Sequence, residues 1–241
     1  MLEKTNTEEV EMSYPKSRAS GVMLLVLGLV FVGNTAFAEF VNLHSGNGPA
    51  NSPDPLISVL IGSGGAPLSA APFTTSDFAA ACGGQNAMVV VPISVWAQGL
   101  PCDPNAQWVG IDMYSTPASA LYCQGFDVET CCIESATLNF CWVTDDGLGD
   151  ALYGGSNPAG VYLNGIAVSP SIDGGNYGTE TFSGPIDVTS LVHCGGNELQ
   201  VYNRDAGYVV SGVMYSATID IIECSTATEE ASWSLVKPLY R

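Results

Sequence analysis

Positive charge is what this sequence has least of: 6 Lys+Arg stand against 24 Asp+Glu in 241 residues, a formal net charge of -18 with a pI near 4.1. Such a chain repels phosphates and anionic lipid headgroups, which excludes nucleic acid and leaves neutral ligands, cations or protein surfaces as partners. Histidine is nearly as scarce. His44 and His193 are the two present, and neither sits in a pattern suited to catalysis or metal binding. The sequence has no G-x-S-x-G elbow, no H-E-x-x-H, no G-x-x-x-x-G-K-[ST] loop and no C-x-x-C pair. Enzyme chemistry therefore finds little support. Charged residues total only 12% while apolar ones reach 46%, so the composition is that of a folding chain rather than a disordered one.

What is present points first to export. Lys16 and Arg18 precede the apolar run Val22 to Val32, and the triplet Ala36-Phe37-Ala38 follows it. A basic n-region, a short h-region and an A-x-A site predict a signal peptide over residues 1–38, cut before Glu39. The run's 11 residues fall short of a bilayer span, for which about 20 are needed, so no stable membrane anchor is expected after cleavage. Removing residues 1–38 takes away Lys4, Lys16, Arg18 and four glutamates, leaving 3 basic against 20 acidic residues.

The cysteines agree with that compartment. All 8 (Cys82, Cys102, Cys123, Cys131, Cys132, Cys141, Cys194 and Cys224) lie beyond the cleavage point. An even number in an exported chain predicts a disulfide framework whose connectivity the sequence leaves open. Adjacent Cys131 and Cys132 cannot bond to each other without strain, so they are expected to reach two different strands. The competing assignment, a zinc site built from Cys123, Cys131, Cys132 and Cys141, suits a reducing compartment better.

Gly 27 and Pro 14 make up about 17% of the chain, which favours turn-rich β architecture. Residues 39–55 are rich in Gly, Asn and Pro and read as an extended leader. Strand signals follow: Leu56–Ile61, Ala87–Val91, Gln107–Ile111, Pro185–Val188, Glu198–Tyr202 and Val213–Ile222. Ala136, Leu138, Phe140 and Trp142 alternate with Thr137, Asn139, Cys141 and Val143, a period of two with one apolar face. Asn164-Gly165 between Val161–Leu163 and Ile166–Val168 is a strong hairpin signal. Eight or more short strands without a convincing amphipathic helix predict an all-β fold, an antiparallel β-sandwich over residues 56–224, stapled by disulfides.

From Gln107 to Ile222 the order of features resembles the galactose-binding-like jelly roll of secreted bacterial proteins. The matching pieces are QWVG, LYCQGFDV, ATLNFCWVTDDG, GVYLNG, FSGPIDVTSLVHCGGNELQVYN and SGVMYSATIDI. The resemblance implies a jelly roll related to carbohydrate-binding modules, and it specifies a fold better than a ligand. The loop Gly147–Gly160 is longer than that pattern expects, and the cysteines are not general to it. Beyond the sandwich, residues 225–241 form a polar linker and a tail ending in Trp233, Lys237, Leu239, Tyr240 and Arg241. This tail resembles short Trp/Lys/Leu-Tyr-Arg endings of exported bacterial proteins. It is expected to dock on the domain through Trp233 and Tyr240, with Lys237 and Arg241 as a recognition handle the alternative.

Binding is the leading function. Sugar recognition needs aromatic faces and planar polar groups on loops of a rigid scaffold. Tyr153 and Asn157 in the loop Gly147–Gly160, Asn176 and Tyr177 in the loop Ser171–Thr181, and Asn203 and Arg204 on a third turn supply both. The acidic turn Asp145, Asp146 and Asp150 has turn formation and a Ca2+ site as its two main readings. The expectation is a secreted or cell-surface, non-catalytic module binding carbohydrate or another surface polymer. A structural or adhesive protein without a sugar ligand is the alternative, and a glycosidase fragment using the clustered aspartates is a weaker one.

Overall fold

Alternating apolar residues drive the chain into long antiparallel strands. The structure, a computed structural model, describes residues 38–62, 73–207 and 209–225. Apart from their boundary residues, the expected signal peptide and C-terminal tail lie outside the described residues. The strands are β1 (Ala38–His44), β2 (Pro53–Ile61), β3 (Gln85–Val89), β4 (Val109–Gly110), β5 (Ala120–Val128) and β6 (Ile133–Thr144). After these come β7 (Val161–Leu163), β8 (Ile166–Ala167), β9 (Thr181–Phe182), β10 (Ile186–Asp187), β11 (Gly195–Asn203) and β12 (Val213–Glu223). Among the described residues one α-helix, α1 (Thr75–Ala81), stands between β2 and β3.

Hydrogen bonding runs in the order β10-β6-β12-β4-β3-β2-β5-β11-β7-β8, with β1 on β12 and β9 on β6. Three strands separate β12 from β5 along this path, which in a flat sheet would put them nearly 20 Å apart, at about 4.8 Å per strand. Yet the Tyr215 hydroxyl of β12 donates to Gln124 Oε1 of β5 at 3.2 Å. The sheet therefore doubles over into two facing layers. Tyr215, Ala217, Ile219 and Ile221 of β12 and Ala136, Leu138, Phe140 and Trp142 of β6 fill the space between them, opposite Ile57, Tyr122, Leu199 and Val201. The β6 residues are the apolar set expected from its period of two.

Each layer also has part of its outer face covered. Cys141, Val143 and Met214 point away from the central core but are buried, because residues 90–108 lie over them with Trp96, Leu100 and Trp108. Trp96 and Trp108 stack with ring centroids 4.2 Å apart, and Cys102–Cys141 pins the covering segment to β6. On the other layer, Phe73 and the α1 residues Phe78 and Ala81 cover Leu121, Cys123, Tyr162 and Tyr202. Cys82–Cys123 fixes the end of α1 to β5. The remaining bridges are Cys131–Cys194 and Cys132–Cys224, so the adjacent cysteines do reach two different strand ends. No cysteine is free among the described residues.

Two segments depart from the sequence reading. The expected leader 39–55 is part of the sheet: β1 pairs with β12 from Ala38↔Ile222 to His44↔Ser216, and Asp54 orders the turn that follows. Asp54 Oδ2 accepts from the backbone of Gly46 and Asn47, each at 2.9 Å, and its Oδ1 accepts from Leu56 and Ile57. Its place is fixed because Val41 and Leu43 reach the core. The helix was also unexpected. Thr74 and Asp77 form a reciprocal capping box, which holds a run of only seven residues helical. The Asn164-Gly165 turn has the expected form, with φ of 53° and 77° at its two central residues.

Candidate binding groove and loop edge

The two loops expected to form a binding edge do lie side by side. Leu148 and Gly174 exchange backbone hydrogen bonds at 2.8 Å, and Gly160 N–H donates to Ile172 O at 2.6 Å. The candidate residues on them separate into interior and surface. Asn157, Asn203 and Arg204 are 7%, 0% and 2% exposed, which closes them to a glycan and corrects their assignment to a binding edge.

Asn157 clamps Phe73 instead, donating from Nδ2 to Phe73 O at 3.0 Å and accepting from Phe73 N–H at 2.8 Å. Asn203 accepts from Thr144 Oγ1 and donates to Ser211 Oγ at 3.0 Å, and Ser211 in turn donates to Ala118 O. Arg204 carries its backbone N–H to Gly147 O at 3.0 Å. These are the buried, paired polar groups expected where loops fold back over a sandwich end.

Asn176 and Tyr177 remain exposed. The Asn176 side-chain oxygen accepts from Gly178 and Thr179 N–H, both at 2.9 Å, as an Asx turn does. Tyr153 closes a short 3-10 turn, Ala151–Tyr153.

The acidic turn is divided among separate tasks. Asp145 Oδ2 accepts from the Trp96 indole N–H at 3.0 Å. Asp146, at φ 70°, accepts through Oδ2 from Ala206 and Gly207 N–H at 2.7 and 2.9 Å. Asp150 Oδ2 accepts from Asn157 N–H at 3.1 Å. The three carboxylates do not come together as one ligand set. Burial, followed by the negative charge of Asp146, pushes the Asp145 carboxyl up to about 6, although the Trp96 hydrogen bond works the other way. Elsewhere among the described residues, Cys82 and Cys123 approach Glu198, and Cys102 and Cys141 approach Glu180. Both cysteine pairs are oxidised to disulfides and so offer no thiolate to a metal.

A broad concavity lies on a sheet face rather than at the expected loop edge. A groove of about 950 Å3 crosses the outer side of β2, β5 and β11, between α1 and the β7–β8 hairpin. Its floor includes Gly125 and Gly196. A β-carbon at Gly125 would come no closer than 3.9 Å to its nearest neighbour, the Asn197 carbonyl oxygen, and one at Gly196 would stop 3.6 Å from Asp127 Oδ1.

The pairing Gly125↔Glu198 and Gly196↔Asp127 puts two carboxylates diagonally across this floor. Leu56 and Ile166 line the groove with apolar surface, at 57% and 56% exposure. The hairpin wall is firm: Asn164 Nδ2 donates to Leu191 O and Asn197 Oδ1, and Gly165 N–H donates to Gln200 Oε1 at 2.9 Å. Glycine inside a strand is the one sequence signal for such an opening, since it marks places where another group approaches the backbone.

No protein-family model matches this chain. No curated protein matches it either.

Proposed function

We propose that the protein is an exported, non-catalytic binding module of the galactose-binding-like jelly-roll kind, and that it takes a carbohydrate or surface polymer in the groove. The open glycine floor carries this reading. Two neighbouring strands carry glycine between the α1 and β7–β8 walls, leaving space for a chain-like ligand to lie across the sheet. Asp127, Glu198 and the amide of Asn86 offer acceptors and donors for hydroxyls, while Leu56 and Ile166 offer apolar surface to the C–H faces of sugar rings.

Four disulfides in the described residues fit an oxidising compartment, and no helix among those residues is long and apolar enough to cross a membrane. Export itself rests on the n-region, h-region and A-x-A pattern of the first 38 residues.

A glycan array with the full chain tests the proposal when paired with Gly125→Leu and Gly196→Leu. A β-carbon at either position makes only ordinary van der Waals contact, so the fold should keep its melting temperature to within a few degrees while any array hit weakens at least tenfold. Hits unaffected by both substitutions would move the ligand to the loop edge. An array without hits would favour a structural or adhesive role.

A further inference from the structure

The groove is acidic within a domain that has almost no positive charge to offer. Residues 38–225 contain a single Lys or Arg, Arg204, which is only 2% exposed. Asp127 and Glu198 line the groove, and no Lys or Arg among the described residues lines it with them. The occupant that complements these walls is apolar along part of its length and cationic at another part.

The chain itself holds such a segment, and the described strands end within reach of the groove. β12 ends at Glu223, and Cys224 follows, bonded to Cys132 with a Cα separation of 5.3 Å. Cys131 is adjacent and is bonded to Cys194, Cα to Cα 4.6 Å. Cys194 is preceded by His193, which lines the groove together with Gly196. With consecutive Cα atoms about 3.8 Å apart, Cys224 lies at most about 18 Å from His193. The residues from 226 to 237 span up to roughly 40 Å when extended, so Lys237 can reach every part of the floor. Beyond Ser225 the sequence carries Trp233, Leu235 and Leu239 as apolar groups and Lys237 and Arg241 as cations.

We propose that residues 226–241 of the same chain occupy this groove, with Trp233 and Leu235 against the Leu56 and Ile166 surfaces and Lys237 facing Asp127 and Glu198. The tail then competes with the external ligand and sets the threshold at which that ligand binds. The docking stands on the groove and the chain path, and only its regulatory consequence rests on the glycan reading. Tethering favours it. A segment tethered within reach of the groove is present at millimolar effective concentration, so weak individual contacts suffice, and high salt loosens the charged part.

Lys237 is the one lysine after residue 38, which makes zero-length carbodiimide coupling a direct test on the full chain. The expected product is monomeric, with Lys237 joined to Asp127 or Glu198 in the peptide map. Its yield should fall several-fold in Gly125→Leu, which fills the floor. Lys237 joined only to other carboxylates, joined between two chains, or left uncoupled would overturn the docking.

In parallel, Trp233→Ala/Lys237→Glu should raise apparent affinity for an array hit about tenfold, and unchanged affinity would overturn the competition. If no glycan binds any form but the Lys237 coupling persists, the glycan reading fails and the docking stands. If a glycan binds in the groove and the coupling is absent, the docking alone fails.

Discussion

Trp96 donates its indole hydrogen to Asp145 at 3.0 Å, joining the segment that covers one outer face to the end of β6. The bond sits where three negative groups crowd together. Asp146 and Asp205 both raise the Asp145 carboxyl, after burial as the larger cause. The covering segment is therefore anchored to a carboxylate whose ionised form is disfavoured.

The first prediction follows from that carboxylate. A carboxyl raised to about 6 in the folded state from 3.8 binds its proton more tightly folded than unfolded. Its contribution to stability is fully present below pH ~4 and is lost as pH rises through about 6. Asp77, Asp112 and Asp187 are shifted the opposite way, lowered below 3.8, so their contributions change only under more acid conditions. Between pH 5 and 7 the melting temperature of the parent protein should fall, and in Asp145→Asn it should change less. Parallel pH profiles for the two proteins would remove Asp145 as the cause.

A second prediction concerns the bridge under the same segment. Cys102–Cys141 closes a sequence separation of 39 residues, for which the chain-entropy estimate is about 4 kcal/mol. Replacing both cysteines with alanine should lower the melting temperature by roughly 8–16 °C for a domain of this size. It should also expose Trp96 and Trp108 to quenching, because they pack over Cys141, Val143 and Met214. Thiol labelling of the unfolded, unreduced parent should find no more than two reactive cysteines. Six or more would overturn the disulfide framework.

The parts legible in sequence were those with local periodicity or local chemistry. Ala136 to Trp142 alternates over a whole strand, Asn164-Gly165 requires two positive φ angles, and Cys131-Cys132 forces divergent partners. β1 escaped because only Val41 and Leu43 carry its inward pattern before the chain enters Gly- and Asn-rich turns. α1 escaped because its seven residues are too few for an amphipathic repeat and it depends on the Thr74–Asp77 cap. Asn203 and Arg204 read as turn residues, yet β11 carries Asn203 beneath loops that close over both. The groove's one local sign was glycine inside β5 and β11, and the rest was non-local: Leu56, Gly125, Ile166 and Glu198 come from four strands and meet only through sheet order.

Asn157 and Tyr177 make a third prediction, since both were candidates for sugar contact and only one reaches the surface. Asn157→Ala removes two hydrogen bonds to Phe73 and leaves buried backbone groups without partners, at a cost of about 1–3 kcal/mol. Tyr177→Ala removes an exposed ring and should shift the unfolding midpoint by no more than about 0.5 kcal/mol. Urea unfolding of both variants separates the two roles. If the ligand lies in the groove, neither variant should alter affinity under conditions where it remains folded. A tenfold loss in Tyr177→Ala would return the site to the loop edge.

The last prediction addresses the acidic turn. Calcium needs about six to eight oxygens converging on one point, but here Asp145 faces Trp96, Asp146 faces the backbone of Ala206 and Gly207, and Asp150 faces Asn157. Recruiting all three to one ion would break the bonds that join four loops. The expected result is that millimolar calcium, added to chelated protein, moves the melting temperature by less than about 1 °C. Asp146→Asn should act independently of calcium. An amide keeps one acceptor oxygen but loses the charge that strengthens the two N–H bonds, so a loss of about 1–2 kcal/mol is expected. Faster hydrogen exchange at Ala206 and Gly207 should accompany it, because Asp146 is what holds those amides. A calcium-dependent rise that disappears in Asp146→Asn would mean that the turn rearranges around the ion and that holding the 206–207 backbone is its secondary role.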